Sequence, residues 1–333
     1  MKKNIRSFSP SAGIRCRWYS SALQRVITDF GSDCAFGQVD RKLREHYGIS
    51  APPSSSRIIT QRHAHEIYKQ EAKEEPIKTA IVQTLILAET DGSMIPIVKR
   101  KPKPEGVEKY DARKYKEYYW REARLSFARP IGSMSPIFAA TLGSVDDVGK
   151  QLRSCVEKSG YGENTRVHCL GDGAPWIANQ VDEQFGTQAT YLVDFYHVCE
   201  YLAEAAAPCG GLEKKKWIET QKDNLKLGQL NRVFEALEKH LEDPCAKDTE
   251  APVRRCYRYL DNRRDQVDYA KAIAKGLPIG SGEIESAHRY VLQKRLKIPG
   301  AWWKEENAAD MLALRVNRAN SNWDGYWVQT RAS

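Results

Sequence analysis

The sequence predicts an α/β protein: a mixed sheet, interrupted by an all-helical insertion and preceded by a small all-α domain. A strand–helix–strand pattern spans Val167 to Val193, other strand candidates precede it, and only helical periodicity is found from Phe195 to Lys275. Apolar spacing separates these patterns, because strands repeat every second residue and helices every three to four. We therefore divide the chain into a helical domain (1–75), a first α/β part (76–195), an insertion (196–278) and a second α/β part (279–333).

Two acids end the strands of the central unit. The apolar run Val167–Leu170 stops before Asp172, and the run Ala189–Val193 stops before Asp194. Parallel strands joined by a helix end at the same sheet edge, where α/β proteins build their sites. We expect both carboxylates near that edge, with His197 one helical turn further on. The alternative is that each aspartate only caps the helix that follows it, and that His197 only bonds a helix end.

The strands before this unit predict how the sheet is connected. Thr84–Ala88 is an apolar run that leads to Asp91-Gly92, and a second run, Met94–Val98, follows at once. Asp91-Gly92 is either a tight hairpin turn or the kinked end of a buried strand. Ala123–Ala128 and Ile137–Thr141 are further strand candidates, and an amphipathic helix follows them. A sheet whose first strands are antiparallel and whose later strands are parallel has the connectivity of a ribonuclease H-like sheet.

Composition indicates a polyanionic partner. The 333 residues carry a net charge of +9 with a pI of about 9.0, and basic runs recur along the chain, although any single run could be a solvated face. No apolar run reaches the roughly 20 residues of a membrane span, and the basic start lacks the apolar core of a signal peptide. We expect a cytoplasmic protein. The eight cysteines form no C-x-x-C pair, which predicts reduced thiols and no zinc site.

Three amphipathic helices are predicted in the first 75 residues, joined by short turns. The third helix is expected to be capped by Ser54, Ser55 or Ser56, with Ile58, Ile59 and Ile67 facing inward and Ser55, Arg57, Gln61, Arg62 and His65 facing outward. This pattern is typical of a helix-turn-helix domain, in which Arg and Gln side chains reach base edges. A plain three-helix bundle fits the same segment.

A third acid follows the helical insertion. Gly280-Ser281-Gly282 opens a helix that carries Glu283 and Glu285, only one of which can face the sheet edge. Periodicity leaves the choice open. Carboxylates are the ligands that Mg²⁺ prefers, and two ions roughly 3.5–4 Å apart can serve phosphoryl displacement. We therefore expect Asp91, Asp172 and one of these glutamates to converge on two Mg²⁺ ions, for which Mn²⁺ could substitute.

The chain resembles the bacterial insertion-sequence DDE transposases of the ISKra type, relatives of the Mutator-like transposases. The resemblance covers nearly the whole chain in order. It is carried by Leu23–Arg25, Asp29–Gly31, Glu45–Gly48, Thr60 with His63-Ala64, Asp91-Gly92, Gly171–Ile177, Asp194–Val198, Ser281–Ser286 and Arg295–Lys297. Each motif alone is weak, but their joint order is specific.

The resemblance implies an activity and assigns its residues. Asp91, Asp172 and Glu285 would be the catalytic, metal-binding acids, with Asp194, His197 and Glu283 in support. The implied reaction hydrolyses a phosphodiester at each element end and then transfers the 3′-hydroxyl into target DNA. The implied partners are terminal inverted repeats, target DNA and a second copy of the chain, in a bacterial, nucleoid-associated protein.

Further DNA contacts are expected near the end of the chain. Lys294, Arg295 and Lys297 form a basic patch, and Trp302 follows it as a ring that could stack on unpaired bases. For Trp303 and Trp327 core packing is favoured. Two other functions fit this sequence: a ribonuclease H-like nuclease that cuts without joining, and a non-catalytic helix-turn-helix DNA-binding protein.

Overall fold

The computed structural model describes residues 19–71, 81–102 and 115–332 and shows a mixed α/β protein. Its sheet has five strands: β1 (Leu85–Arg100), β2 (Lys116–Pro130), β3 (Ile137–Thr141), β4 (Arg166–Gly171) and β5 (Ala189–Val193). Their spatial order is β3-β2-β1-β4-β5. The first three strands pair antiparallel, whereas β4 pairs parallel with both β1 and β5. The predicted mixed sheet is therefore confirmed.

The long strand β1 passes straight through Asp91-Gly92, so the prediction of a hairpin turn or a kinked strand end there is wrong. The physical reason is the partner strand. β2 pairs with β1 residue by residue from Ile86↔Pro130 to Arg100↔Lys116, so the ladder continues past the two residues.

Two helices cover one face of the sheet. They are α4 (Val145–Lys158), which begins with a capping box formed by Ser144 and Asp147, and α5 (Pro175–Phe185), which connects β4 to β5. Their apolar side chains share a core with Ile86 and Ala88 of β1. The α5 connection keeps β4 and β5 parallel, so both strands end at the same edge.

The opposite face is covered by the insertion. Every regular element described between residues 195 and 274 is helical: α6 (Phe195–Gly210), α7 (Lys214–Lys226), α8 (Leu230–Glu238), α9 (Pro252–Asp261) and α10 (Tyr269–Ala274), with short 3₁₀ turns. The apolar side chains of these helices join Leu87, Leu125 and Phe127 of the sheet in one core. The insertion therefore packs directly on the sheet.

The N-terminal helices are α1 (Ser21–Asp33), α2 (Phe36–Tyr47) and α3 (Pro53–Glu71). Two local predictions are wrong. α3 begins at Pro53, whose fixed φ suits a first helical turn, so Ser54, Ser55 and Ser56 lie inside the helix rather than at its cap. Ile58 is 49% exposed, because Ile59 and Ile67 occupy the buried side of α3.

After the insertion the chain returns to the sheet. It forms α11 (Gly282–Ala287), a π-helical turn (His288–Gln293), α12 (Lys294–Leu296), α13 (Glu305–Ala319) and α14 (Trp323–Ala332). The backbone of Trp303 pairs with β1: its carbonyl accepts from Val98 N at 2.7 Å and its N–H donates to Pro96 O at 3.1 Å. As predicted, the rings of Trp303 and Trp327 are buried in a core.

Arg315 joins the N-terminal helices to this returning segment. Its buried guanidinium donates to Val291 O at 3.0 Å and Ser32 O at 3.2 Å, and it also bonds Tyr290 O and the Asp33 carboxylate. A π-helical turn leaves backbone carbonyls without their usual helical partners. One side chain therefore satisfies both the π-helical turn and the end of α1.

None of the helices in the described ranges combines the length and apolar character that crossing a bilayer needs. The described cysteines all carry free thiols, and Cys16 lies outside the described residues.

Replacing Arg315 with Met should destabilise the protein, because Met retains the buried length but leaves several carbonyls without a donor. The loss should be about 2–4 kcal/mol, and chemical denaturation followed by circular dichroism would measure it. Arg264→Met is the matched control, because Arg264 pairs with Asp261 at the surface. Equal stability for the two variants would contradict this role of Arg315.

Candidate acidic site at the sheet edge

Strand register brings three aspartates to one edge of the sheet. Glu89 pairs with Leu170 and Gly171 pairs with Val193, and Asp91, Asp172 and Asp194 follow these pairs. Asp91 and Asp172 each lie two residues past the last β1–β4 pair. The backbone N–H of Asp194 donates to Gly171 O at 2.7 Å, which extends the ladder one step.

Asp91 and Asp172 are electrostatically coupled. Burial, aided by the negative charge of Asp172, raises the pKa of Asp91 to about 6 despite the lowering effects of the Gly92 N–H and of His197. The Gly92 N–H donates to the Asp91 carboxylate at 2.7 Å. Two like charges near each other at a partly buried edge repel, and a bound cation would offset that repulsion.

The turn that carries Asp172 is held by the insertion. Tyr259 of α9 donates its hydroxyl to Asp172 O at 2.7 Å, and Arg263 donates to Gly173 O at 2.8 Å. Gly173 has a φ of 85°, and a Cβ there would collide with the Tyr259 hydroxyl. The Asp172 carboxylate accepts from Ala174 N at 2.8 Å, which holds the local turn. The N-cap of α5 is Ala174, without a side-chain cap bond, so the alternative that Asp172 caps this helix is wrong.

Asp194 is fully buried and its carboxylate is occupied by protein donors. One oxygen caps α6, accepting from Tyr196 N at 2.5 Å and His197 N at 3.2 Å. The other accepts from Ser281 N at 2.5 Å and from the Ser281 hydroxyl. Asp194 therefore positions the returning chain, and the capping alternative describes its local role.

The two candidate glutamates of α11 differ in their surroundings. Glu283 is held by Arg129 of β2, which donates to it through two nitrogens, one of them at 2.8 Å. Glu285 is exposed. The charge of Glu285 acts on His288, one turn further along the helix. The two acids thus point to different surroundings, as their spacing of two predicts.

Two residues that sequence reasoning passed over lie beside Asp91. His288 is buried, and its Nε2 lies 3.4 Å from the Asp91 carboxylate; burial lowers its pKa to about 4, so the imidazole is neutral. Glu89 lies on the same face of β1 as Asp91, and its carboxylate accepts from Ile284 N at 2.8 Å. Burial, with the charges of Glu283 and Asp194, raises the pKa of Glu89 to about 8. The sequence signal that could have identified Glu89 is an acidic residue within an otherwise apolar strand.

The geometry brings the acids only partly together. Within the described ranges, no group of three or more His, Cys, Asp or Glu side chains is close enough to hold a metal ion. Asp91 and Asp172 supply two oxygen donors of the kind Mg²⁺ prefers, and their mutual repulsion fits a cation between them. Glu283 and Glu285, the two candidates for the third acid, lie on the neighbouring helix α11. His197 is near enough for its charge to act on Asp91, and its Nδ1 lies 3.4 Å from Glu200.

The predicted DNA-contacting residues are spread over several surfaces. Arg57 is exposed and bonds Gln61 at 3.1 Å, while Arg62 is half-buried and bonded to Gln24 of α1. Lys294 is exposed 3.5 Å from Asp33, Lys297 is half-buried, and Trp302 is 42% exposed. His65, also predicted to face outward, bonds Asp310 of α13 at 3.1 Å.

Arg295 is buried, in contrast to the DNA-contacting role that the sequence predicted for it. Its side chain is 2% exposed, its guanidinium donates to Gly31 O at 2.8 Å, and it stacks on Phe36 and Trp303. Burial lowers its pKa to about 10. A DNA contact by Arg295 does not fit this structure, because the flat guanidinium is used to join α1 and α2 to the returning chain.

Comparison with known proteins gives a family for this chain. A family model described as "Uncharacterised protein family (UPF0236)" matches residues 138–329, which is more than half of the sequence. The chain belongs to the UPF0236 family. The matched region contains Asp172, Asp194 and both glutamates of α11, and Asp91 lies outside it.

No curated protein matches the sequence. Among solved structures, the chain is similar to one described as the Drosophila P element transposase strand transfer complex, with 10% identity, a TM-score of 0.33, and coverage of 99% of this chain and 85% of that one. That similarity is too low to establish a shared fold. The ISKra-type resemblance remains a prediction.

The raised pKa of Asp91 gives a pH-dependent stability. The folded protein holds this proton up to a pH of about 6, whereas an unfolded Asp releases it near 3.8. Asp91 therefore contributes stability below the unfolded pKa that is lost as pH rises through the folded pKa. At pH 7.5 and without divalent metal, Asp91→Asn should be more stable than wild type by about 1–2 kcal/mol, after allowing for its partial exposure.

Thermal denaturation between pH 4 and 8, in chelator, measures this difference. The advantage of Asp91→Asn should shrink as the pH falls from 6 to 4. Asp182→Asn, on the exposed side of α5, should show no such trend. A constant difference at every pH would show that Asp91 has no raised pKa.

Proposed function

We propose that this chain is a DNA transposase that cuts DNA at the ends of its element and joins the freed 3′-hydroxyls to target DNA. One observation carries the proposal: Asp91 and Asp172 each lie two residues past the last β1–β4 pair, close enough for the charge of Asp172 to act on Asp91. Such a pair, at the edge where parallel strands end, is suited to metal-dependent chemistry on phosphodiesters.

The order of elements supports a ribonuclease H-like catalytic domain. The strand order β3-β2-β1-β4-β5, with β2 antiparallel to its neighbours, has the wiring that the sequence led us to expect. A helix bearing acids follows the helical insertion and returns to the same sheet edge, where Ile284 N bonds Glu89. The sequence resemblance to ISKra-type transposases points to the same domain.

The surroundings of the two glutamates favour Glu285 as the third acid. Glu283 is engaged by Arg129 through two nitrogens, and freeing it would break both bonds. Glu285 precedes His288 by one helical turn, and His288 lies 3.4 Å from Asp91. Residues three apart on a helix have Cβ atoms about 5–6 Å from each other, so the Glu285 side chain starts near the aspartate pair.

Asp91, Asp172 and Glu285 would hold the divalent cations, Mg²⁺ or Mn²⁺. When bound, these ions lower the pKa of water and stabilise charge on a phosphate. The residues of the chain position this chemistry. Tyr259 and Arg263 bond the backbone of the Asp172 turn, and Asp194 bonds Ser281 at the start of α11. The buried, neutral His288 lies 3.4 Å from the Asp91 carboxylate.

The positive charge of the chain supplies the contacts to DNA. With a net charge of +9, the protein should bind the phosphate backbone in a salt-dependent manner. Arg57 and Gln61 on the exposed side of α3 are the candidate contacts for terminal repeats, in a helix-turn-helix domain. Holding two element ends together requires at least a dimer on DNA.

Cleavage assays test the three acids. On DNA carrying the element ends, with Mg²⁺ or Mn²⁺, Asp91→Asn, Asp172→Asn and Glu285→Gln should each lower cutting by about 100-fold or more, because each removes a charged metal donor. Glu283→Gln should retain substantially more activity, and Asp182→Asn should match wild type. Full activity for the Asp91 or Asp172 variant would refute the catalytic site, leaving a DNA-binding protein without this chemistry.

A strand-transfer assay separates a transposase from a nuclease that only cuts. Wild-type protein given pre-cut ends with free 3′-hydroxyls should form joined products with a target plasmid. The three acid variants should form none, because cutting and joining use the same acids. Cutting without any joined product would favour the nuclease.

A further inference from the structure

Three exposed aromatic rings form a continuous surface on the outer half of β1 and β2. They belong to Tyr118, Trp120 and Trp302, which are 53%, 56% and 42% exposed. The Trp302 ring centroid lies 4.7 Å from that of Tyr118 and 6.1 Å from that of Trp120. We call these three rings the aromatic surface. Contiguous exposed rings of this size mark an interaction site more often than isolated ones do.

The backbone holds the aromatic surface in place. Tyr118 and Trp120 are two residues apart on β2, so they share a face, and they pair with Val98 and Pro96 of β1. On the other edge of β1, the backbone bonds of Trp303 fix the position of its neighbour Trp302. Backbone pairing on both sides of β1 therefore holds the rings in position, so binding would cost little conformational entropy.

The charge beside the aromatic surface favours an anionic occupant. Arg100 lies directly opposite Lys116 in the β1–β2 register, on the face that carries Tyr118 and Trp120. Like charges opposite each other destabilise a sheet, and a polyanion bound over them would offset that repulsion. Lys304, two residues after Trp302, is also exposed.

The aromatic surface lies along the strand that carries the acidic site. β1 runs without a break from Asp91 to Pro96, which pairs with Trp120. Five residues of extended strand span about 17 Å, close to five base steps of DNA. Side chains alternate along β1, so the rings lie on the opposite face of the sheet from the Asp91 side chain. A DNA strand that contacts Asp91 would reach the rings by crossing the edge of β1 beyond Glu89, where the pairing with β4 has ended.

We propose that the aromatic surface binds unpaired bases of the DNA strand next to the cleavage site, by stacking on Tyr118, Trp120 and Trp302. The proposal rests on the proposed function, since it takes DNA as the partner. Stacking on rings is largely independent of sequence, because every base has a flat face. The surface would hold a strand end whose bases have separated, and leave base-specific recognition to other parts of the chain.

Binding of labelled oligonucleotides tests the proposal directly. Fluorescence anisotropy, in chelator so that no cutting occurs, would compare single-stranded oligothymidine with a duplex of equal length. Trp120→Leu and Trp302→Leu should each weaken single-strand binding by about 5-fold or more, with little change for duplex. Trp120→Phe and Trp302→Phe should retain most of the affinity, because they keep a ring. Met134→Ala, at a side chain that is 92% exposed, is the control for loss of exposed apolar area.

Salt dependence separates stacking from charge. The Leu variants should keep the wild-type slope of log affinity against log salt, whereas Lys304→Gln should reduce it by about 0.7 if Lys304 contacts a phosphate. Wild-type affinity in the Leu variants, or an equal loss for single strands and duplex, would overturn the proposal.

Failure of this proposal is distinguishable from failure of the proposed function. If the wild-type protein cuts DNA but the Leu variants bind single strands normally, only the role of the aromatic surface is lost. If the protein binds single strands through its rings but never cuts, the stacking stands and the catalytic assignment falls.

Discussion

The candidate site depends on the contact between Asp194 and Ser281. Residues 195–280 leave the sheet and come back, and one buried carboxylate holds both ends: it caps α6 and accepts two bonds from Ser281. The Phe195 N–H adds a bond to Ile279 O at 2.9 Å. Because burying an unpaired carboxylate is costly, this set of bonds forms as a unit. It fixes where α11 begins, and therefore where Glu283, Glu285 and His288 lie relative to β1.

The insertion takes part in the site as well as extending the chain. Its helix α9 reaches the edge of the sheet, where Tyr259 and Arg263 bond the backbone of the Asp172 turn. Tyr201 of α6 stacks on the Tyr259 ring at 4.0 Å, which keeps that hydroxyl in position. A change in the packing of the insertion would therefore move Asp172, although none of its helices supplies a candidate catalytic acid.

Much of the fold could be predicted from periodicity, and the errors have physical causes. The strand–helix–strand unit, the helical insertion and the helices of the first 75 residues all follow from apolar spacing. The break expected at Asp91-Gly92 is absent because a 15-residue ladder with β2, invisible in local sequence, outweighs the turn tendency of Asp-Gly. Arg295 reads as a surface cation, yet aromatic rings on two sides and the Gly31 carbonyl make its burial favourable. Neither cause can be read from neighbouring residues.

Local features of the chain limit which acids could meet. Strand ends, the helix opened by Gly280-Ser281-Gly282, and a spacing of two between Glu283 and Glu285 are local properties of the chain. How they meet depends on contacts between residues that are distant in the sequence. Contacts between distant parts of the chain bring the charge of Asp172 near Asp91 and place His288 3.4 Å from the Asp91 carboxylate. They also bond Glu89 to Ile284 N and engage Glu283 with Arg129, while Glu285 is exposed. Periodicity specifies the face of an element, whereas partners distant in sequence fix the charge, burial and neighbours of each side chain on that face.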